Sequence, residues 1–114
     1  METLEVGMYC YNKTNRKLGI GKIISFPINN NVNIKYKNDI ETISIGNVEA
    51  SHSIIELIQV GDYVNRNEVI NITEYKDGSR YIEFDEGKYI CKNYQIETIV
   101  TKEQMEAIQY KVVE

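Results

Sequence analysis

Hydrophobic and polar residues alternate in several short segments of the chain, which is the pattern of β-strands with one buried face. Val32, Ile34 and Tyr36 alternate with polar neighbours and predict one strand. Residues 18–26 are mostly apolar and predict another strand. The asparagines at 29–31 lie between the two segments and predict a turn. The first part of the chain is therefore predicted to be β-structure.

The second part of the chain carries the clearer turn signal. Residues 69–75 and 80–85 flank an Asp-Gly pair at 77–78, and Asp-Gly between two hydrophobic segments is typical of a β-hairpin. After a further Glu-Gly turn, residues 89–92 predict a third strand and residues 95–100 a last one. These segments predict an antiparallel meander.

Two short motifs occur twice, in the same order and at nearly the same spacing. Val-Gly-Met-Tyr-Cys at 6–10 is echoed by Val-Gly-Asp-Tyr-Val at 60–64. Ile-Glu-Thr-Ile at 40–43 recurs at 96–99. The two echoes together predict a tandem duplication of residues 6–45 and 60–100.

The predicted fold class is mainly β, with two tandem, small, SH3-like five-stranded barrels. In so short a unit, strong curvature is needed to remove exposed sheet edges. The boundaries are predicted at 1–52 for the first unit and 53–114 for the second. Since about 40 residues is near the lower limit for independent folding, the two units are expected to share one core.

Two short helices are predicted, each following one unit. Ser53 with Glu56, and Thr101 with Gln104, have the spacing of a capping box. The first predicts a linker helix over 54–58 and the second a helix over 102–108. The second helix is expected to close a barrel end with Met105 and Ile108, and residues 110–113 to add an edge strand.

Composition and charge narrow the function classes. The chain has 114 residues, with 13 Lys and Arg against 17 Asp and Glu and a net charge of −4. The length excludes a large enzyme fold, and the net negative charge excludes a generally basic protein that coats nucleic acid. No signal peptide and no apolar segment of about 20 residues is recognisable. We therefore expect a cytoplasmic protein that does not bind a membrane.

Few residues point to catalysis or to a cofactor. Cys10 and Cys91 lie far apart without a metal-ligand spacing, and both are expected to be buried free thiols. His52 is the one histidine and has no neighbouring nucleophile of the kind a triad needs. The chain also lacks a phosphate-loop motif. We expect a protein that is not an enzyme and holds no metal or cofactor.

Charge is distributed unevenly between the two parts of the chain. Residues 1–50 hold 6 basic and 5 acidic side chains, whereas residues 51–114 hold 7 and 12. An acidic surface can face a basic protein surface. The candidate protein-binding residues are Glu74, Asp77, Glu83, Asp85 and Glu86.

Basic and aromatic residues near the start of the chain support an alternative function. Cations can pair with phosphates while tyrosines stack on bases. The candidate nucleic-acid-binding residues are Tyr9, Tyr11, Lys13, Arg16, Lys17 and Lys22. A third possibility is a small ligand in the crevice between the two units.

Several segments carry a resemblance to a known group of proteins. They are Val-Gly-Met-Tyr at 6–9, Gly-Lys-Ile-Ile at 21–24, residues 53–64, residues 99–106 and Tyr-Lys-Val at 110–112. In these the chain resembles a family of small uncharacterised proteins of phages and prophages of low-GC Gram-positive bacteria. The resemblance implies an origin in a virus or mobile element but no mechanism. If a phage encodes the protein, the expected location is the cytoplasm of the host cell.

The leading interpretation is a non-enzymatic accessory protein that binds a host protein. Small phage proteins of this kind include anti-CRISPR and other anti-defence inhibitors, and that link is one of context. The protein is expected to be a monomer or a homodimer.

Overall fold

The computed structural model describes residues 3–108, which are mainly β-structure with one short α-helix. In chain order the strands are β1 (Tyr9–Asn12), β2 (Gly21–Ser25), β3 (Asn31–Lys35), β4 (Ile40–Ser44), β5 (Val48–Ser51), β6 (Tyr63–Val64), β7 (Asn67–Glu68), β8 (Asn71–Glu74), β9 (Arg80–Glu83), β10 (Tyr89–Ile90) and β11 (Ile99–Val100). The 3₁₀ helices are Arg16–Leu18, Ile45–Asn47, Ile54–Leu57, Asp85–Gly87 and Asn93–Gln95, and the α-helix α1 is Lys102–Ile108.

The first half of the described chain, residues 3–52, forms one antiparallel sheet in the order β4-β3-β2-β1-β5. The predicted alternation is confirmed, because Val32, Ile34 and Tyr36 are all buried. The predicted strand over 18–26 is shorter than expected, since Arg16–Leu18 is helical and β2 begins at Gly21. The asparagine turn is present, with Asn29 at φ 68°.

The second half, residues 53–108, forms two three-stranded sheets, β10-β9-β8 and β11-β6-β7. The predicted hairpin is confirmed: β8 pairs antiparallel with β9 around Gly78, whose φ is +89°. Only Val69 and Ile70 separate β7 from β8. The Val69 amide donates to the Asp62 carbonyl and the Ile70 amide to Glu83, at 2.8 and 2.9 Å. If β7, Val69, Ile70 and β8 are treated as one continuous strand path, the order in the second half is β10, β9, β8 with β7, β6 and β11. This order matches β4, β3, β2, β1 and β5 in the first half.

The first sequence echo falls on equivalent backbone positions. Gly7 and Gly61 both have φ +96°. The Gly7 amide donates to the Ile23 carbonyl at 2.8 Å, and the Gly61 amide donates to the Val69 carbonyl at 2.9 Å. Each glycine lies two residues before the strand, β1 or β6, that pairs with the last strand of its half, β5 or β11.

The second echo does not fall on equivalent positions. Residues 40–43 lie in β4, which pairs with β3. Residues 96–99 lead into β11, which pairs with β6, and so take the place of β5, which pairs with β1. The predicted match between 40–43 and 96–99 is therefore wrong. Alternating Ile-Glu-Thr-Ile suits any strand with one buried face, so an isoleucine-rich chain repeats it readily.

Buried apolar side chains form two clusters, which corrects the prediction of one shared core. The first cluster is Met8, Cys10, Ile23, Val32, Ile34, Tyr36 and Val48. The second is Ile55, Ile58, Val64, Val69, Ile82 and Phe84. Each half buries its own sheet face, so the hydrophobic effect is satisfied within each half. Polar groups connect the two.

The two predicted helices are present. The linker helix is the 3₁₀ helix Ile54–Leu57, and Ser53 makes no side-chain capping bond there. The capping box at α1 is confirmed: the Thr101 amide donates to Gln104 Oε1 at 2.8 Å, and the Gln104 amide donates to the Thr101 hydroxyl oxygen at 3.1 Å. Ile108 is 73% exposed and closes no barrel, so that prediction is wrong.

The strand pairing leaves sheet edges open. β4 and β5 are the edges of the first sheet, and no closed barrel is present among the described residues. The predicted edge strand over 110–113 lies outside the described residues. Between residues 3 and 108, no helix is long and apolar enough to cross a membrane.

Candidate binding surfaces

A buried ion pair connects the two halves. Arg16 is 6% exposed and Asp62 is fully buried. Two nitrogens of the Arg16 guanidinium donate to the two Asp62 oxygens, each at 2.9 Å. The Asp62 carboxylate also accepts the backbone amides of Gln59 and Lys102, each at 2.9 Å. Burial alone lowers the pKa of Arg16, but hydrogen bonding to Asp62 and its charge outweigh burial and raise that pKa above its usual value.

The ion pair removes two residues from the predicted nucleic-acid surface. The two terminal nitrogens of Arg16 donate only within the protein, including bonds to Glu103 at 3.1 Å and to the Leu57 carbonyl at 3.3 Å. Tyr11 is only 9% exposed and its ring lies 4.5 Å from the Arg16 guanidinium carbon. Both side chains line the same depression as Lys13 and Lys17, but little of either is exposed to phosphates or bases. A local sequence pattern could not reveal a partner 46 residues away.

The other four predicted basic and aromatic residues lie in two separate places. Lys13 and Lys17 line a shallow depression together with Glu49 and Glu103, and Lys13 Nζ lies 4.0 Å from a Glu49 oxygen. This depression has mixed charge. Tyr9 and Lys22 instead line a larger groove between the halves.

That groove has a volume of about 790 Å³ and a basic wall. Its lysines are Lys22, Lys35 and Lys37, and Glu97 is the one carboxylate among its described lining residues. Lys22 and Lys35 are direct cross-strand partners in β2 and β3. Lys22 Nζ also lies 4.9 Å from the centre of the Tyr9 ring. Lys35 and Lys37 were not among the residues predicted from the sequence. The alternation with the buried Val32 and Ile34 was the available signal, because it places Lys35 on the exposed face of the strand.

The five predicted acidic residues lie at two ends of the β8–β9 hairpin. At the turn, Glu74 Oε1 lies 3.1 Å from Arg80 Nε. Asp77 accepts the Ser79 hydroxyl and amide at 2.7 and 3.0 Å, and these hydrogen bonds lower the pKa of Asp77. Glu74 and Asp77 are therefore engaged by the hairpin itself.

Glu83, Asp85 and Glu86 lie at the other end of the hairpin. Glu83 is half-buried and accepts the Asn71 side-chain amide at 3.2 Å. Asp85 and Glu86 are exposed in the 3₁₀ turn, where Glu86 has φ 63°. Glu74 and Asp77 are exposed as well, but the contacts with Arg80 and Ser79 engage those two residues and not Glu83, Asp85 or Glu86 at the end of β9.

A row of three tyrosines lies on the same sheet and was not predicted. The Tyr75 and Tyr81 rings meet edge to face with centroids 5.0 Å apart, and the Tyr81 and Tyr89 rings stack at 5.3 Å. Tyr75 is 52% and Tyr89 57% exposed. Glu83 is the cross-strand partner of Tyr89. We call Tyr75, Tyr81 and Tyr89 the tyrosine row; their placement around the predicted turns was the available sequence signal.

The remaining candidate reactive groups are isolated from one another. Cys10 is fully buried, and burial raises the pKa of its thiol to about 12, so the thiol stays protonated at neutral pH. Cys91 is half-buried, which differs from the expected full burial. His52 Nε2 lies 3.2 Å from Glu5 Oε2 at the surface. Over residues 3–108, no three His, Cys, Asp or Glu side chains converge as metal ligands would.

Comparison with known proteins gave no match: no protein-family model, curated protein or solved structure is significantly similar to the chain.

Proposed function

We propose that the protein is a non-enzymatic accessory protein of a phage or mobile element that binds a basic segment of a host protein. The tyrosine row and the adjacent carboxylates of Glu83, Asp85 and Glu86 are the proposed contact surface. The main support for this proposal is a set of half-exposed tyrosine rings in contact with one another, beside the Glu83 carboxylate. Glu83 is the direct cross-strand partner of Tyr89.

The chemistry of this surface suits arginine and lysine side chains. Tyrosine faces attract guanidinium and ammonium groups, and a nearby carboxylate pairs with the same cation. Tyrosine is also enriched at protein interfaces, because it buries a large area with little loss of conformational entropy. The rings hold one another in place through one edge-to-face and one stacked contact, so the surface is organised before a partner binds.

An anti-defence inhibitor is the specific function we propose. An acidic surface can occupy a groove that a host nuclease uses for phosphates, since it supplies the same sign of charge. The half that carries the tyrosine row also carries most of the acidic residues of the chain.

We further propose that each half is an open SH3-like unit. Support comes from the strand order β4-β3-β2-β1-β5, and from the same order in the second half when β7 and β8 are followed as one path. A 3₁₀ helix precedes the final strand region in both halves, at Ile45–Asn47 and Asn93–Gln95.

Variants of the tyrosine row test the proposed function. A fluorescent peptide of alternating glycine and arginine serves as the probe, with binding measured by anisotropy. Replacing both Tyr75 and Tyr89 by Ser should weaken binding about tenfold, because each exposed cation–π contact is worth about 0.5–1 kcal/mol. Ile28→Ser/Ile40→Ser is the matched control, since these two side chains are 81% and 64% exposed and lie outside both the row and the groove.

Host lysate then identifies the partner. Wild-type protein should retain a host protein that the Tyr75→Ser/Tyr89→Ser variant does not retain, while the Ile28→Ser/Ile40→Ser variant retains it fully. Equal peptide binding by wild type and the double variant would refute the tyrosine row as the contact surface.

A further inference from the structure

We propose that the groove between the halves is a binding site for a nucleotide, with the phosphate on the lysines and the base on the tyrosines. This proposal does not rest on the proposed function, because the groove and the tyrosine row share no residue.

The phosphate part of the argument is the arrangement of the lysines. Lys22 and Lys35 are direct cross-strand partners, and like charges at directly opposite positions destabilise a sheet. Among the described residues, no carboxylate lies within 4.0 Å of the ammonium groups of Lys22, Lys35 or Lys37. The groove therefore concentrates three lysines beside a single lining carboxylate, Glu97, among the described residues, and a phosphate would reduce the repulsion between the lysines.

The base part of the argument is the aromatic and apolar wall. Tyr9 contributes a half-buried ring, and Tyr94, on the opposite half, is 84% exposed. Ile24 and Ile96 add apolar surface to the same groove. Nucleobases stack on aromatic side chains irrespective of sequence. The volume of about 790 Å³ lies within the usual range of about 300–1,000 Å³ for small-molecule sites.

A nucleotide can reach this groove free in solution or as part of a single strand, and the chemistry recognised is the same. The probes are therefore adenosine 5′-monophosphate, adenosine and an octathymidylate strand, each added to ¹⁵N-labelled protein at low salt. We expect the monophosphate or the strand to shift amide signals of β2, β3 and residues 93–97, and adenosine to bind more weakly because it has no phosphate.

Two double variants of equal charge change provide the decisive comparison. Lys22→Gln/Lys35→Gln should weaken binding at least tenfold, and for the strand it should lower the dependence of log K on log salt by about 1.4. Lys13→Gln/Lys17→Gln removes the same charge from the mixed depression and should leave binding within about twofold. Tyr94→Ser should weaken binding without affecting stability, since Tyr94 is so exposed.

Thermal melting separates loss of the site from loss of the fold. Because Lys22 and Lys35 repel each other, Lys22→Gln/Lys35→Gln should melt at the same temperature as wild type or higher. A monophosphate affinity similar to that of the strand identifies a free nucleotide, and tighter strand binding identifies single-stranded nucleic acid. No signal change at millimolar probe, or equal weakening by both lysine double variants, would overturn the proposal.

Discussion

Met8 and Asp62 occupy the same place in the two halves of the molecule but do opposite work. Each follows a glycine with φ +96° and each is fully buried. The Met8 amide donates to the Glu5 carbonyl at 3.2 Å, and the Asp62 amide donates to the Gln59 carbonyl at 3.0 Å. The local backbone is therefore the same, while one side chain is apolar and the other is a carboxylate that binds a guanidinium group.

The difference explains how the halves are joined. Met8 packs within the first hydrophobic cluster. Asp62 instead turns towards the other half and binds Arg16 through both carboxylate oxygens. Met8 thus stabilises its own half, whereas Asp62, at the equivalent position, stabilises the association of the two halves.

Removing the carboxylate should have the largest effect on this comparison. Asp62→Ala leaves the Arg16 guanidinium buried without its main partner, and we expect a loss of about 3–5 kcal/mol in the free energy of unfolding. Urea unfolding followed by circular dichroism measures this loss. Glu103→Gln is the control: Glu103 is 37% exposed, so its loss should cost about 1 kcal/mol or less.

A double-mutant cycle sharpens the result. Arg16→Met combined with Asp62→Ala should be less destabilising than the sum of the two single changes, because no unpaired charge stays buried. Additive effects would show that the ion pair does not connect the halves energetically.

The two glycines should respond alike. Gly7→Ala and Gly61→Ala each force an alanine into a left-handed conformation, at a cost of about 1–2 kcal/mol. An added Cβ at Gly7 meets no atom within 4 Å, and at Gly61 it meets only the flexible Lys102 side chain, at 3.0 Å. Urea unfolding of both variants checks this, and costs that differ by more than about 1 kcal/mol would contradict the equivalence of the two turns.

Cys10 and Val64 form a second pair of equivalent positions. Replacing Cys10 by valine should have the smallest effect of these changes at neutral pH. Cys10→Val adds one methyl group to a packed cluster and should cost about 1 kcal/mol at pH 7. The two thiols should also differ in their reactivity towards DTNB. Cys91 should react in the native protein, whereas Cys10 should react only when the protein is unfolded.

The pH dependence of Cys10 has a definite sign. Its pKa in the folded protein is about 12, against an ordinary 9.0. Above pH 9 the unfolded thiol loses its proton while the folded thiol keeps it, so stability falls as pH rises from 9 towards 12. Cys10→Val should lose less stability than wild type in this window. An unchanged alkaline loss in the variant would assign the effect to other groups.

Local features of the fold could be predicted from the sequence. The Asp77-Gly78 hairpin, the alternation through Val32 and Ile34, and the capping box at Thr101 depend on residues within a few positions of one another, and all three are confirmed. Local chemistry determines such features almost alone.

Features that depend on distant residues could not be predicted in the same way. Arg16 has the appearance of a surface cation until its partner is known, and that partner lies 46 residues away. The tyrosine row required the register of two hairpins, because Tyr81 meets Tyr75 across one turn and Tyr89 across another. The prediction of a single shared core was wrong for a related reason. The apolar pattern of the sequence does not reveal that a buried ion pair connects the two halves.

The ion pair also affects the order of events during synthesis. Arg16 leaves the ribosome well before Asp62, and its other carboxylate partner, Glu103, follows 87 residues after it. Until those groups emerge, the cation has water as its partner. The enclosure of Arg16 is therefore a late event in the maturation of each new molecule, and contacts of such long range slow folding.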